Sequence, residues 1–133
     1  METTGSPLVS VVTPVYNGER YLVECIESVL KQTHANWEYI VNDNCSTDGT
    51  AAIVKQYAAL DGRIRYYRNE QFVRAIPNHN IALSLISRES RYCKVLQADD
   101  WLYPECLDRM VALAEANPSV GVVIAYRLED RWV

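Results

Sequence analysis

Apolar positions along this chain follow two alternating rhythms. Short runs rich in β-branched and aromatic residues, LVSVVT (8–13), WEYIVN (37–42), RIRYYR (63–68), YCKVLQ (92–97) and VGVVIAY (120–126), each have the length of a strand. The first and last are apolar at nearly every position, the pattern of strands covered on both faces. Between the runs the apolar spacing changes to three and four residues. From Glu19 to Gln32, Leu22, Cys25, Ile26, Val29 and Leu30 share one helix face, opposite Glu, Lys and Gln. A second helix opens within STDGTAAIVKQYAAL (46–60), where Ser46, Thr47 and Asp48 offer oxygens to free amides and Ala52, Ile53, Tyr57 and Leu60 mark the inner side. A third is predicted from about Pro77 to Ser87. A fourth starts at Pro104, whose missing N–H costs nothing in a first turn, and stops before Asn117 and Pro118.

Strands alternating with helices, joined by segments too long for hairpins, predict an α/β fold. The expected form is a doubly wound, mostly parallel, Rossmann-like sheet with right-handed crossovers and helices on both faces, as one domain over residues 1–133. Sites in such sheets gather beyond the carboxyl ends of the strands. Three polar stretches follow strands: TPVYNGER (13–20), NDNCSTDGT (42–50) and QADDWLYP (97–104). They converge if the first strand is central, flanked by the second and fourth.

Asp99 and Asp100 stand side by side in the last of these stretches. Two carboxylates about 4 Å apart repel by about 4 kcal/mol at an effective dielectric near 20, a cost that a cation relieves. Oxygen ligands without Cys or His favour Mg²⁺ or Mn²⁺, and Mg²⁺ is held by one or two carboxylates while phosphate oxygens complete its shell. A diphosphate ligand follows. A solvated turn or helix cap is the plain alternative. Asp43 and Asn44 read either as a helix-entry turn or as hydrogen-bonding partners of a nucleobase or ribose. Tyr16, beside Asn17 and Gly18, reads as a turn residue or as an aromatic surface for a base.

Composition narrows the partners. The 133 residues are 49% apolar and 23% charged with a net charge of −4, and Lys and Arg are scattered, so no basic stripe marks the chain for nucleic acid. Cys25, Cys45, Cys93 and Cys106 form no C-x-x-C pair, which argues against zinc or a disulfide framework. Cys45 reads as a small packed residue and the other three as core or near-core fillers; His34 and His79 receive no role. Neither G-x-x-x-x-G-K-[ST] nor G-x-G-x-x-G occurs, so phosphates would be held by metal rather than by a glycine cradle. No signal-like start and no transmembrane-length apolar stretch is present. The expected location is cytoplasmic, with peripheral attachment to the inner face of a membrane left open.

PLVSVVTPVYNGERYLVECIESVLKQTHANWEYIVNDNCSTDGT (7–50) followed by LQADDWLYPECL (96–107) resembles the family 2 glycosyltransferases of the GT-A fold, over about Pro7 to Tyr126. The resemblance implies an inverting transferase using a nucleoside-diphosphate sugar, with Pro14, Tyr16, Asp43 and Asn44 around the nucleotide. It implies that Asp100 ligates the divalent metal, Mg²⁺ or Mn²⁺, in the place of the family's D-x-D-type motif, and that Asp99 contacts ribose or metal. The acceptor it implies is unspecified: a saccharide, a lipid-linked sugar or a protein. This chain departs from the family at Asn44, where a second aspartate is common, at Gln97, where an acidic residue is frequent, and at PNHN (77–80), where many relatives carry an arginine. The family's general base is expected beyond Val133, which makes the chain the N-terminal, donor-binding part of a longer enzyme. Three rivals remain at this point: a nucleotide-sugar-binding module without transfer, a nucleotidylyltransferase, and an α/β domain whose acidic loops are caps.

Overall fold

The computed structural model describes residues 5–125 and gives eight elements: β1 (Val9–Val15), α1 (Glu19–Leu30), β2 (Trp37–Asp43), α2 (Thr50–Leu60), β3 (Ile64–Arg68), α3 (Ala75–Ser84), β4 (Tyr92–Val95) and α4 (Cys106–Ala116). The strands form one sheet in the order β3-β2-β1-β4, with every pairing parallel. β1 is therefore interior and buried at every position, as its nearly continuous apolar run requires. Pairing of Val15 with Asp43 and of Asp43 with Arg68 ends β1, β2 and β3 at one level, and their following loops emerge together.

Strand alternation sorts the core into two layers. Val9, Val11 and Val15 of β1 and Tyr39 and Val41 of β2 pack with Leu22, Cys25, Ile26 and Val29 of α1, Val54 of α2 and Leu107 of α4. Val12 and Ile40 face the other way, where α3 packs on β1 and β2 and buries Ala82. Helices thus cover both faces, the doubly wound arrangement of GT-A domains. All four cysteines are free. Among the described residues no helix is long and apolar enough to cross a membrane.

Several expectations shift. α3 starts at Ala75, so Pro77 is its third residue, still in the first turn where the missing N–H would have no helical partner. α4 starts at Cys106, and Pro104 lies in the turn before it, its carbonyl accepting from the Thr33 N–H at 2.9 Å. Val54 is the deeply buried residue of α2, with Ile53 and Tyr57 half-buried; Ala52 and Leu60 are exposed because this helix covers only the β2–β3 side of the sheet. Cys93 is exposed on the edge strand rather than a core filler, and His34 is buried, Nε2 2.9 Å from the Pro7 carbonyl. The predicted fifth strand does not form over 120–125, where Val122 and Ile124 are 77% and 85% exposed. A β-type run becomes a strand only by pairing, and among the described residues this run hydrogen-bonds to no strand of the sheet; Tyr126 falls outside the described residues.

One carboxylate ties three strands together. Glu38 of β2 accepts from the Ser10 hydroxyl of β1 at 2.6 Å, from Ser87 Oγ at 2.6 Å and N–H at 2.8 Å, and from the Arg65 guanidinium of β3 at 2.8 Å. Burial pushes its pKa up, but those hydrogen bonds and the Arg65 charge outweigh burial and hold the carboxyl below its ordinary value. A depressed carboxylate stabilises the fold above its unfolded pKa and loses that contribution as pH falls through the folded value. Glu38→Gln should therefore cost about 2 kcal/mol at pH 7. The gap to wild type should close in urea melts as pH drops below about 4, the range of an unfolded Glu.

Candidate functional site

The first two loops are stitched edge to edge. Asn44 N–H donates to the Val15 carbonyl at 2.8 Å, Asn17 N–H to Ser46 Oγ at 2.9 Å, Gly18 N–H to Thr50 Oγ1 at 2.9 Å, and Thr47 N–H to Asn17 Oδ1 at 2.8 Å. Asp48 caps the Thr50 N–H at 2.9 Å and also accepts from the Glu19 N–H at 3.2 Å, so one side chain serves the starts of both α1 and α2. Asn17 (φ 49°) and Cys45 (φ 60°) adopt left-handed backbone. Asn tolerates it; for Cys it is costly, and the Cys45 thiol reaches the Asn69 carbonyl at 3.1 Å.

Beneath this seam lies Asp43, fully buried. Its Oδ1 accepts from the Ser46 N–H at 2.8 Å, and its Oδ2 from the Tyr66 hydroxyl at 2.6 Å and the Arg68 guanidinium at 3.0 Å. Burial, then the hydrogen bond to this carboxylate, push the Tyr66 phenol up, which keeps it a donor. Beside Asp43 runs a chain of amides. Asn42 Nδ2 donates to Asn78 Oδ1 at 2.8 Å, Asn69 Nδ2 donates to Asn78 Oδ1 at 2.8 Å and to Asn44 Oδ1 at 3.0 Å, and Asn44 clasps Val73 at both its N–H (3.0 Å) and its carbonyl (2.7 Å).

That clasp builds a cleft of about 210 Å³. Pro14, Val15 and Tyr16 form one wall, Asn44 the floor, Phe72 and Val73 the opposite wall, and Ala75, Asn78 and His79 of α3 the end. Tyr16 and Phe72, 51% and 60% exposed, meet edge to face at 5.0 Å across the mouth. The volume is below the ~300–1,000 Å³ of sites that enclose a drug-sized ligand, and suits a ring rather than a whole nucleotide sugar.

The third loop is held from behind by the end of α1. Gln32 Nε2 donates to the Tyr103 carbonyl at 2.7 Å and its Oε1 accepts from the Leu107 N–H at 3.0 Å, while Ser28 Oγ accepts from the Leu102 N–H at 3.1 Å. Asp100 N–H closes a turn on the Gln97 carbonyl at 3.0 Å, leaving Asp99 exposed and Asp100 half-buried. The loop meets the first one at Gly18, where an added Cβ would lie 3.4 Å from Ala98 Cβ and 2.5 Å from Val15 Cγ2. It meets the cleft at Gln97, whose Nε2 lies 3.1 Å from His79 Nε2. Behind it, burial pushes the Cys25 thiol up to about 11, the Asp100 and Asp99 charges adding to the rise, so this cysteine is no nucleophile at neutral pH.

Of the residues singled out from sequence, Pro14, Tyr16 and Asn44 line the cleft, Asp43 lies beneath it rather than in its wall, and Asp99 and Asp100 stand on the adjoining loop. Val15, Phe72, Val73, Ala75, Asn78 and His79 complete the lining without having been given a role from sequence. The chain's one phenylalanine, set in the polar stretch NEQFVRA (69–75), was the available signal. Among the described residues no three His, Cys, Asp or Glu side chains gather as a metal cage.

The sequence profile of Glycosyl transferase family 2 matches residues 10–132. The chain belongs to this family. It is 43% identical over 98 residues to TuaG of Bacillus subtilis, a glycosyltransferase assigned provisionally to teichuronic acid biosynthesis, covering 74% of this chain and 38% of TuaG. Among solved structures the family 2 domain superposes on Staphylococcus aureus TarS in complex with UDP with a TM-score of 0.75, at 28% identity, covering 83% of this chain and 32% of that one. It superposes on the Pyrobaculum calidifontis mannosyltransferase PcManGT, solved with GDP-Man and Mn²⁺, with a TM-score of 0.77, at 25% identity, covering 89% and 35%. The chain thus spans about a third of each of these matched chains.

Two substitutions test how the family 2 site is built. Gly18→Ala forces a methyl into the stiff, buried Val15 side chain and should lower stability by about 1–3 kcal/mol in thermal melts. At position 45 glycine should outperform alanine: Cys45→Gly should be more stable than Cys45→Ala by about 1 kcal/mol, because only glycine takes φ near 60° without strain.

Proposed function

We propose that this domain is the donor-binding part of an inverting, metal-dependent glycosyltransferase that moves a sugar from a nucleoside-diphosphate sugar to an acceptor hydroxyl. The observation that carries the reading is adjacency: a ring-sized cleft lined by Tyr16 and Phe72 is bounded by His79, whose ring contacts Gln97 of the loop bearing Asp99 and Asp100. A base in the cleft and a diphosphate at the carboxylates fit one extended ligand. The solved relatives support it, since TarS binds UDP and UDP-GlcNAc and PcManGT binds GDP-Man with Mn²⁺.

In this reading Tyr16 offers its face to the base once the base replaces the edge of Phe72, and Pro14 fixes the backbone under it. Asn44 serves the base by holding Val73 in place, because its amide is already engaged on that residue. Asp43 braces the same loop through Ser46 and Arg68. The donor set at the rim is hard oxygen alone, Asp100 with Asp99, which suits Mg²⁺ or Mn²⁺ with phosphate oxygens completing the shell. Such an ion, when bound, neutralises charge that grows on the departing diphosphate. Displacement at the anomeric carbon then requires a base for the acceptor proton, which we place outside the described residues.

Calorimetric titration of the chain with UDP-GlcNAc and GDP-Man, with and without Mn²⁺, tests the proposal. At least one should bind, more tightly with metal. Asp100→Ala should lose the metal-dependent gain, about tenfold or more, while melting close to wild type. Tyr16→Ala should weaken binding by about 1 kcal/mol with or without metal. Binding by neither donor, or an Asp100→Ala variant that responds fully to Mn²⁺, would reject the assignment.

A further inference from the structure

His79 lines the cleft and touches Gln97 of the carboxylate loop, and its two ring nitrogens face different partners. Nδ1 is 2.8 Å from the Ala75 carbonyl, one turn back in α3. A carbonyl only accepts, so Nδ1 carries a proton and donates it. In the neutral ring Nε2 is then an acceptor, and the Gln97 side-chain amide 3.1 Å away supplies its donor. A second proton would turn Nε2 into a charged donor on the side of the ring that faces Gln97. Gln97 can follow by turning its amide over or by yielding to a ligand.

Among the residues lining the cleft only His79 can become cationic, and a diphosphate extending from the ring slot toward the Asp99–Asp100 loop would bring two negative charges past it. We infer that His79 donates its Nε2–H to a phosphate oxygen of the bound nucleotide sugar, making it a phosphate-contact residue; this rests on the nucleotide-sugar reading above. Binding takes up a proton from solvent onto Nε2 and exchanges the Gln97 contact for one to phosphate.

The charged groups around the ring are few. On α3 itself there is Arg74 at the N-cap, exposed. β1, against which α3 packs, has none. β2 has Glu38 and Asp43, engaged by Arg65 and Arg68 respectively. The segment before α3 has Glu70, exposed, and the loop beyond Gln97 has Asp99 and Asp100. An anion held at Nε2 favours the protonated, charged form of the ring.

The test is calorimetry of the chain with UDP-GlcNAc and GDP-Man in Mn²⁺ at pH 6 and pH 8, in two buffers of different ionisation enthalpy. The pyrophosphate of a nucleotide sugar stays fully ionised over this range, so a pH effect reports the protein. Wild type should bind about fivefold tighter at pH 6 and take up a fraction of a proton at pH 7. His79→Gln, which keeps a side-chain donor on a helix-compatible residue, should lose both the pH dependence and the proton uptake. His79→Lys should restore affinity at both pH values without the uptake. Uridine and guanosine should be indifferent to all three substitution states. A His79→Gln variant that keeps the pH dependence and proton uptake would overturn the assignment alone. A wild type that binds neither nucleotide sugar would overturn it together with the reading on which it rests.

Discussion

A carboxylate with no access to water sits at the centre of this molecule. An isolated buried charge costs several kcal/mol, so Asp43 is tolerable only with its hydrogen-bonding capacity filled and a cation alongside. Ser46 N–H, Tyr66 hydroxyl and Arg68 guanidinium supply this from the helix-entry loop and from β3. Satisfying that charge fixes where β2 ends, how the chain turns toward α2, and which side of β3 faces in. The left-handed Cys45 is a consequence: the chain must reverse within two residues for the Ser46 amide to reach Asp43.

From this fixed point order spreads through amides rather than charges. Asn42, Asn44, Asn69 and Asn78 bind one another and the Val73 main chain, linking β2, the segment after β3, and α3. Such networks are costly when half satisfied; among the described residues no buried side-chain nitrogen or oxygen lacks a partner. The result is a cleft whose floor and far wall are set before any ligand arrives. Only the Tyr16–Phe72 pair, held by one aromatic contact between exposed rings, is cheap to rearrange. Rigid walls with one soft closure are what a ring-binding slot needs.

The sheet was legible because the run that forms β1 is apolar at nearly every position, as strands covered on both faces are, and α1 was legible from the three- and four-residue spacing of Leu22, Cys25, Ile26 and Val29. The site was legible as to its edge, since the three polar loops after β1, β2 and β4 do converge. What the sequence concealed is which polar residues face inward. Asp43 and Asn44 look alike as loop residues, yet one is a buried brace and the other a cleft floor, a distinction made by contacts to Tyr66, Arg68 and Val73 far along the chain. The run 120–125 misled because its composition suits a strand while strand formation depends on a neighbour, which composition does not report.

The carboxylate pair reads differently once its surroundings are known. From sequence, the repulsion between Asp99 and Asp100 stood near 4 kcal/mol and called for a compensating cation. Asp99 is exposed, and for charges about 4 Å apart in water the same repulsion is about 1 kcal/mol, which a fold tolerates unaided. Electrostatic necessity therefore does not point to a metal here. What the structure adds is placement: the two carboxylates stand on a turn closed on the Gln97 carbonyl, and the Gln97 side chain contacts His79 of the cleft.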